Sequence, residues 1–445
     1  MLEKLAAAWA VPDIQKRLIF VLKAFLVYVI ASHIPMAGIN HDAVNKLVSQ
    51  GLLNAYDVFS GGALKRVSII GLSLMPYINA SIVMQLLTVA IPQLQALSKE
   101  GESGRKQINK ITRYASIGLG FVQAAGLYNM FASGGAIPKG IFPMLMMMVV
   151  MTSGTMFLLW MGEQLTEKGI GNGTSLIIFV GIMISIPNQI IMTFKLVQEG
   201  AVSIFGVLGM AILFLASIVG VIYMTQGTRR IPVLNMRKVT AGGKMTASGQ
   251  SYLPLKVNTA GVIPIIFAMS IQLFPQTFQQ FFPRESGPFG QFLYDATMWL
   301  NPGSGNIVAS LIFAALVMFF TYFYTAVQYD TNDIADNLKK YGSLIPGVKP
   351  GKPTAEYLDT VLTRITLAGA VFLATISLMQ YWAPIWTGTG IKGLSMIGGT
   401  SLLIVVGVAL ETMTAIEAQM AMRNYEGFIK TRPSDSDNMM RGRMR

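Results

Sequence analysis

The chain has 445 residues, 53% of them hydrophobic and only 12% charged, with a mean hydropathy of +0.53 and a net charge of +13. Soluble proteins carry about a quarter charged residues, so this composition excludes a string of soluble domains. No cysteine is present, which excludes disulfides, thiol nucleophiles and cysteine metal sites.

Residues 1–18 interleave Leu5, Trp9 and Val11 with Lys4, Lys16 and Arg17 and read as a short helix lying on a membrane surface. No cleavable leader is expected, because the first apolar block runs on into a full span. Spans follow at 19–39, 72–92, 115–135, 142–161, 174–194, 203–224, 259–282, 306–327, 365–386 and 394–412. The blocks 203–224 and 306–327 hold no charge at all; about twenty helical residues make roughly 30 Å, the thickness of the bilayer hydrocarbon. The expected fold class is therefore all-α, a polytopic membrane protein of ten transmembrane helices.

The segments between spans assign orientation. On one side, 1–18, 93–114, 162–173, 225–258, 328–364 and 413–445 carry 26 of the 34 Lys and Arg, and the other side carries seven. Positive charge stays inside, so both termini and the long basic loops are expected in the cytoplasm. Ten spans split into halves of five, 1–200 and 201–445, the second entering from the opposite face. That is the arithmetic of an inverted repeat, with a working site expected between the halves.

One segment does not read as a simple span. Across 57–92, Gly61 and Gly62, the Lys65-Arg66 pair and Pro76 interrupt what would otherwise be one over-long helix. Irregular backbone at membrane depth is tolerated only inside protein or against water. Either a short helix folds back into a cavity before a true span from Pro76, or the segment is an external hairpin.

The chemistry is sparse. No carboxylate falls in the middle of a span, and Glu411 sits only at the cytoplasmic end of the last one. Proton- and many sodium-coupled transporters place carboxylates at the midplane, so a coupled solute transporter is disfavoured. His33 and His41 are too few and isolated for a metal site. Residues 347–353 resemble a phosphate-binding loop, but the spacing is one short and Pro353 stands where a hydroxyl would hold magnesium. No catalytic residue, metal or cofactor is expected, and the chain reads as no enzyme. Polar side chains inside spans are amides and hydroxyls: Asn79, Ser81, Gln85, Thr88, Gln123, Ser270 and Gln272. They read either as helix-to-helix hydrogen bonding or as a seam that opens.

Seven motifs, in order, carry a resemblance to a known family: FSGGALKR (59–66), LMPYINASIVMQLLT (74–88), KEGESGRK (99–106), GTMFLLWMGEQLTEKGIGNGTSLIIF (154–179), LPLKVNTAGVIPIIFA (253–268), ADNLKKYGSLIPGVKPGKPTAEYL (335–358) and GGTSLLIVVGVALE (398–411). The sequence resembles the SecY family, channel subunits of the general protein-secretion translocon. The resemblance implies two five-helix halves clamped around an hourglass pore. Its constriction ring would be Leu74, Ile78, Thr174, Ile178, Ile266 and Ile404. A plug would occupy about 57–71, including Phe59, Ser60, Gly61, Gly62, Ala63 and Leu64. A lateral gate would lie between spans two and three and spans seven and eight, with Asn79, Gln85, Gln123, Ser270 and Gln272 along its polar seam. Membrane hydrogen bonds are worth about 0.6 and up to about 1.7 kcal/mol each, so two or three would hold that seam shut by roughly 2–4 kcal/mol.

The resemblance also implies companion subunits SecE and SecG, the motor ATPase SecA, the ribosome, and signal-bearing preproteins released across or into membrane lipid. Docking would use Arg237, Lys238, Lys244, Lys256 and Lys349 in the loops 225–258 and 328–364, although topology alone also accounts for basic charge there. Two residues depart from the family pattern: Thr174 where isoleucine is common, and Lys349 where a loop arginine is common. Lysine keeps the charge but loses the planar fork of arginine. Besides the channel, a solute transporter and a membrane scaffold without a pore remain as readings of the residues.

Overall fold

The computed structural model describes residues 9–48, 57–235, 251–279, 281–282, 287–302, 306–388 and 399–430. In chain order its helices are α1 (Pro12–Ser32), α2 (His41–Val48), α3 (Met75–Ala90), α4 (Pro92–Lys99), α5 (Glu102–Ser133), α6 (Ile141–Lys168) and α7 (Gly173–Gln198). They continue as α8 (Ile204–Gln226), α9 (Ile263–Gln279), α10 (Pro288–Leu300), α11 (Ile307–Gln328), α12 (Thr331–Lys340), α13 (Lys352–Trp386) and α14 (Thr400–Lys430).

Helix starts follow local chemistry. Proline stands in the first turn of α1, α3, α4, α10 and α13, where its missing N–H costs nothing. Asn172 caps α7 by accepting from the N–H groups of Thr174 and Ser175, and Asn306 caps α11 through Val308. Among the described residues α6, α7, α8, α11, α13 and α14 are long and apolar enough to cross a membrane, and the pair α3–α4 joins them if its 100° bend is counted within one span. The remaining expected spans correspond to α1, α5 and α9, which pack in the same bundle.

Two expectations need correction. The first span is shifted: α1 starts at Pro12 and stops at Ser32, because Pro35 and the left-handed Gly38 (φ 80°) turn the chain within a few residues. Several helices also outrun their apolar blocks. At 1.5 Å per residue, the 35 residues of α13 make about 52 Å, well beyond the bilayer. Its first turns, at Lys352–Arg364, are too charged to show as a span and stand outside it as helix.

The basic loops are not loops throughout. Strands β1 (Thr228–Asn235), β2 (Ser251–Lys256) and β3 (Ser343–Leu344) form an antiparallel sheet in the order β2-β1-β3, with Ile231 opposite Leu253 and Leu234 opposite Leu344. Ile231, Val233 and Leu255 pack with Ile345, Leu358 and Leu362 into a small separate core on the protruding end of α13.

Within the membrane a single apolar core takes buried residues from both halves of the chain, among them Tyr28, Phe131, Met151 and Ile177 from the first and Phe267, Phe313, Leu373 and Leu403 from the second. Residues 57–74 run through this core. They begin with three helical residues, 57–59, and continue as turns, so no helix follows Ser60 and the fold-back runs as turns. Gly61 and Gly62 take positive φ (72° and 79°), which ends the helix at once. Glycines on neighbouring helices make room for this backbone. A Cβ added to Gly154 of α6 would overlap the Ile69 carbonyl, and one on Gly181 of α7 would overlap that of Phe59.

Gly154→Ala is therefore expected to destabilise the protein by about 1–3 kcal/mol, as overpacking does. Gly118→Ala, on an exposed face of α5 with nothing within 4 Å of the new methyl, should gain about 0.5–1 kcal/mol of helix propensity. Thermal unfolding of the two variants in detergent gives the comparison.

Candidate functional site

The first turn of α3 places Ile78 toward the middle of the bundle, and one turn into α7 Ile178 faces it. Ile266 lies at the start of α9 and Ile404 at the start of α14. These four isoleucines, from four helices, line one small cavity together with Met75, Met269, Ser73 and Phe59. Its volume is about 20 Å³, room for no more than roughly one water molecule. Apolar side chains from four helices meet here and leave no wider opening.

Of the six ring residues expected from the sequence, four line this cavity. Leu74 is fully buried just before α3, and Thr174 sits at the start of α7 with its N–H held by Asn172; neither reaches the cavity wall. Three residues the sequence reading missed do line it: Ser73 in the turn before α3, Met75 and Met269. Met75 precedes Ile78 by three residues and Met269 follows Ile266 by three, the spacing that puts side chains on one helical face. That periodicity was the available signal. Methionine is flexible and fills irregular gaps, which suits a wall that must fit around Phe59.

Phe59 belongs to the segment 57–74, so this segment abuts the closed cavity on one side. A set of polar contacts pins it there. Asp57 is buried; its Oδ1 accepts from the Lys65 N–H at 2.9 Å and its Oδ2 lies 3.5 Å from the Lys65 Nζ. The Arg66 guanidinium donates to the Ser32 carbonyl at 3.1 Å and to that of Gly61 at 2.7 Å. Tyr28 of α1 donates its hydroxyl to the Ser60 carbonyl at 3.1 Å. Beyond Arg66 the backbone pairs with the turn after α1: Met36 N–H to Val67 and Ile69 N–H to Ile34, at 3.1 and 3.2 Å. Ser60, Gly61, Ala63 and Leu64 are buried, and Gly62 is half-buried under the Arg66 side chain. The charges that looked anomalous in the sequence are thus internal fasteners, each with a partner.

The polar seam behaves differently. α9 meets both α3 and α5, yet among the described residues no hydrogen bond joins a seam amide of α3 or α5 to one of α9. Gln85 donates to Ser81 on its own helix at 3.4 Å, and Gln272 donates to the backbone carbonyl of Leu300 on α10. Asn79 and Gln123 each keep a buried, unpartnered side-chain oxygen, and Ser270 is half-buried. Among the described residues the expected roughly 2–4 kcal/mol of hydrogen bonds between seam amides is not made, and α9 meets α3 and α5 through packing. An unpaired buried acceptor instead costs about 1–3 kcal/mol.

On the basic face, Lys256 ends β2 and Lys349 lies in the turn before α13; both are exposed. Thr354 donates to the Lys349 carbonyl at 2.8 Å and stiffens that turn. Arg237, Lys238 and Lys244 lie outside the described residues. Nearer the membrane, Arg113 of α5 and Glu163 of α6 form an ion pair that ties those two helices together.

An all-α bundle crossing the membrane, with an occluded apolar constriction and a pinned, non-helical segment against it, defines a polytopic channel-type membrane protein. The comparisons with known proteins name the class more closely. The SecY family profile matches residues 68–413. The chain is 41% identical over 422 residues to the protein translocase subunit SecY of Pseudomonas aeruginosa, covering 94% of this chain and 93% of that one. It is 40% identical over 438 residues to that of Staphylococcus aureus, covering 96% and 99%. The chain belongs to the SecY family of protein translocase subunits, a family of channel subunits without catalytic activity of their own. Among solved structures, a protein-conducting channel aligns over 92% of this chain and 93% of its own with a TM-score of 0.62 at 17% identity. Sec61 in a canine ribosome–channel complex aligns over 92% and 93% with a TM-score of 0.59 at 17% identity. Both share the fold.

Asp57→Ala removes both acceptors for Lys65. Losing a hydrogen bond to a charged acceptor costs about 1.5–3 kcal/mol, and each 1.4 kcal/mol is about tenfold in population. In the cysteine-free chain, Ala63→Cys is buried and should react slowly with maleimide. Adding Asp57→Ala should speed that reaction about 10- to 100-fold, whereas Asp57→Asn, which keeps the acceptor oxygen, should change it only a few-fold.

Proposed function

We propose that this chain is a passive, gated polypeptide channel of the bacterial cytoplasmic membrane, with both termini and the basic loops in the cytoplasm. Its halves, 1–200 and 201–445, clamp the passage between them. The observation that carries this reading is the constriction: Ile78 and Ile178 from the first half and Ile266 and Ile404 from the second close on a cavity of about 20 Å³. An apolar ring dewets and so resists ions, yet it offers no directed bonds to a passing chain. Side chains of any kind can pass, provided the wall gives way. With Leu74 and Thr174 in the adjoining turns, this is the pore ring.

Segment 57–71 is the plug. Phe59 to Leu64 seat it against the ring, and its release opens the passage. The lateral gate is the seam of α3 and α5 against α9 and α11. A signal sequence with about ten leucine-like residues gains on the order of 3–6 kcal/mol on meeting lipid. That outweighs a seam held by packing, and the amides of Asn79 and Gln123 lose nothing when it parts. The channel supplies no energy itself. Drive comes from SecA or from the translating ribosome, docked on Lys256 and Lys349 and on Arg237, Lys238 and Lys244. SecE and SecG complete the assembly around preprotein and lipid.

The first test exploits the absence of cysteine. Single cysteines at Ile78, Ile266 and Ile404 should form disulfides with a cysteine in a secretory protein arrested midway, while Val219→Cys on the exposed face of α8 should not. An engaged substrate that never crosslinks at the three sites would reject the ring and leave a scaffold. For docking, Lys349→Glu should reduce motor-driven secretion several-fold, and Lys392→Glu, outside the described residues and expected from the charge pattern on the other side of the membrane, should not. Equal effects would remove Lys349 from the docking site.

A further inference from the structure

The segment after α9 is an external connection by sequence, yet α10 lies folded back along α9. Its depth follows from two contacts. The rings of Phe267 on α9 and Phe320 on α11 are 5.4 Å apart, which fixes the register of the two helices. Phe320 is 13 residues from Ile307, roughly 20 Å inside the end of α11 at 1.5 Å per residue. Gln272, five residues further along α9 than Phe267, comes about 7.5 Å back toward that end. It is therefore about 12 Å inside it. The buried Gln272 amide donates to the carbonyl of Leu300, the last residue of α10, so the final turn of α10 reaches that depth too.

The bond itself is informative. Carbonyls in the last turn of a helix have no partner within it, and in water they need none from protein. Away from water an unmet carbonyl is costly, and Gln272 meets this one. The faces of α10 divide accordingly. Gly290 and Leu293 are buried toward α9 and α11, while Phe289, Phe292, Met298 and Trp299 are 53%, 65%, 46% and 55% exposed. Phe289 packs edge-on against Phe282, three residues beyond α9, and Phe274 of α9 is itself 63% exposed. Residues 288–300 contain no Lys or Arg and only Asp295 as an acid. Asp295 is five residues outward of Leu300, about 4 Å inside the end of α11 at 1.5 Å per residue, where a carboxylate stays hydrated.

We propose that α10 is an interfacial anchor whose aromatic face is covered by lipid, in the leaflet opposite the basic loops, with Met298 and Trp299 against the acyl chains and Phe292 at headgroup level. Interfacial helices bury their apolar face about 5–10 Å into that boundary, and tryptophan is enriched there. The anchor sets the depth of α9, which carries Ile266. The proposal rests on the membrane placement of α9 and α11 alone, so it survives or fails separately from the channel reading.

The test uses the translocase complex reconstituted in phosphatidylcholine vesicles. A chain that keeps Trp299 as its only tryptophan should be quenched at least twofold by acyl-brominated lipid and little by aqueous acrylamide. In parallel, Phe292→Cys and Trp299→Cys in otherwise native membranes should react with an impermeant maleimide at least tenfold more slowly than Lys139→Cys, an exposed loop site on the same face. Rapid labelling at both cysteines would return α10 to an external loop. Slow labelling without quenching by brominated lipid would mean that protein covers the face, and either result overturns the proposal. If the single-tryptophan chain fails to assemble, the maleimide rates are repeated in vesicles with brominated and with spin-labelled lipid near a probe on Lys139→Cys and Phe292→Cys, where only the second should be quenched.

Discussion

A bilayer core offers no water to satisfy a peptide group, and this chain carries a non-helical stretch through it. Helices meet the constraint by bonding to themselves; residues 57–74 cannot. Their backbone groups are met by the turn after α1, by the Arg66 guanidinium, by the Tyr28 hydroxyl and by the Asp57 carboxylate. All of these partners are protein. The segment therefore requires walls on every side, and the glycines at 154 and 181 are where those walls come closest. A helix in the same place would need none of this, since it bonds to itself.

That dependence explains the placement of charge. Asp57, Lys65 and Arg66 sit in a segment that hydropathy would reject, yet they cost less there than they would facing lipid, because each neutralises or caps another group. Removing one partner leaves the other buried and uncompensated, which is the expensive case. Left-handed backbone at Val67 and Ser73, φ 45° and 51°, adds strain to the same stretch; such conformations cost of order 1–3 kcal/mol each and persist where the surroundings over-determine them. The seat is thus held by several specific contacts against an opposing strain.

Much of this was legible in the sequence, and the exceptions have physical reasons. Most span positions and the interrupted second span followed from hydropathy and from glycine, proline and charge at depth, but the first span lies seven residues earlier than hydropathy placed it, because the turn after Ser32 ends it early. The four isoleucines of the constriction came from motif matching, since each alone is an ordinary core residue. Met75 and Met269 were missed although they stand three residues from Ile78 and Ile266, because motif matching weighs identity over helical phase. The sheet β2-β1-β3 was missed because its strands are short and interrupted by Pro232 and Pro254, so the alternation at Ile231/Val233 and Leu253/Leu255 is too brief to stand out in the sequence. The destination of a side-chain hydrogen bond is not encoded locally at all. Gln272 looked like a seam residue on α9, but a helix that returns along α9 claims its amide.

Among the described residues no hydrogen bond joins a seam amide of α3 or α5 to one of α9, and this bears on what holds these helices together. Directed bonds would give a fixed threshold, lost one bond at a time and dependent on what replaced them. Contacts along α9, α3 and α5 give instead an area-dependent threshold, which an apolar segment of sufficient length matches by presenting area of its own. The unpartnered oxygens of Asn79 and Gln123 tilt the same balance toward parting, since any water or peptide group admitted to the seam lowers their cost. Ring and seam then work by one rule. On the proposed channel reading, the four isoleucines would exclude ions by offering them nothing polar, and the seam would yield to hydrophobic segments because none of its amides on α3 or α5 bonds to one on α9 among the described residues. On that reading, selectivity for length and hydrophobicity, with indifference to sequence, would follow from the directed bonds that neither surface offers to a passing segment.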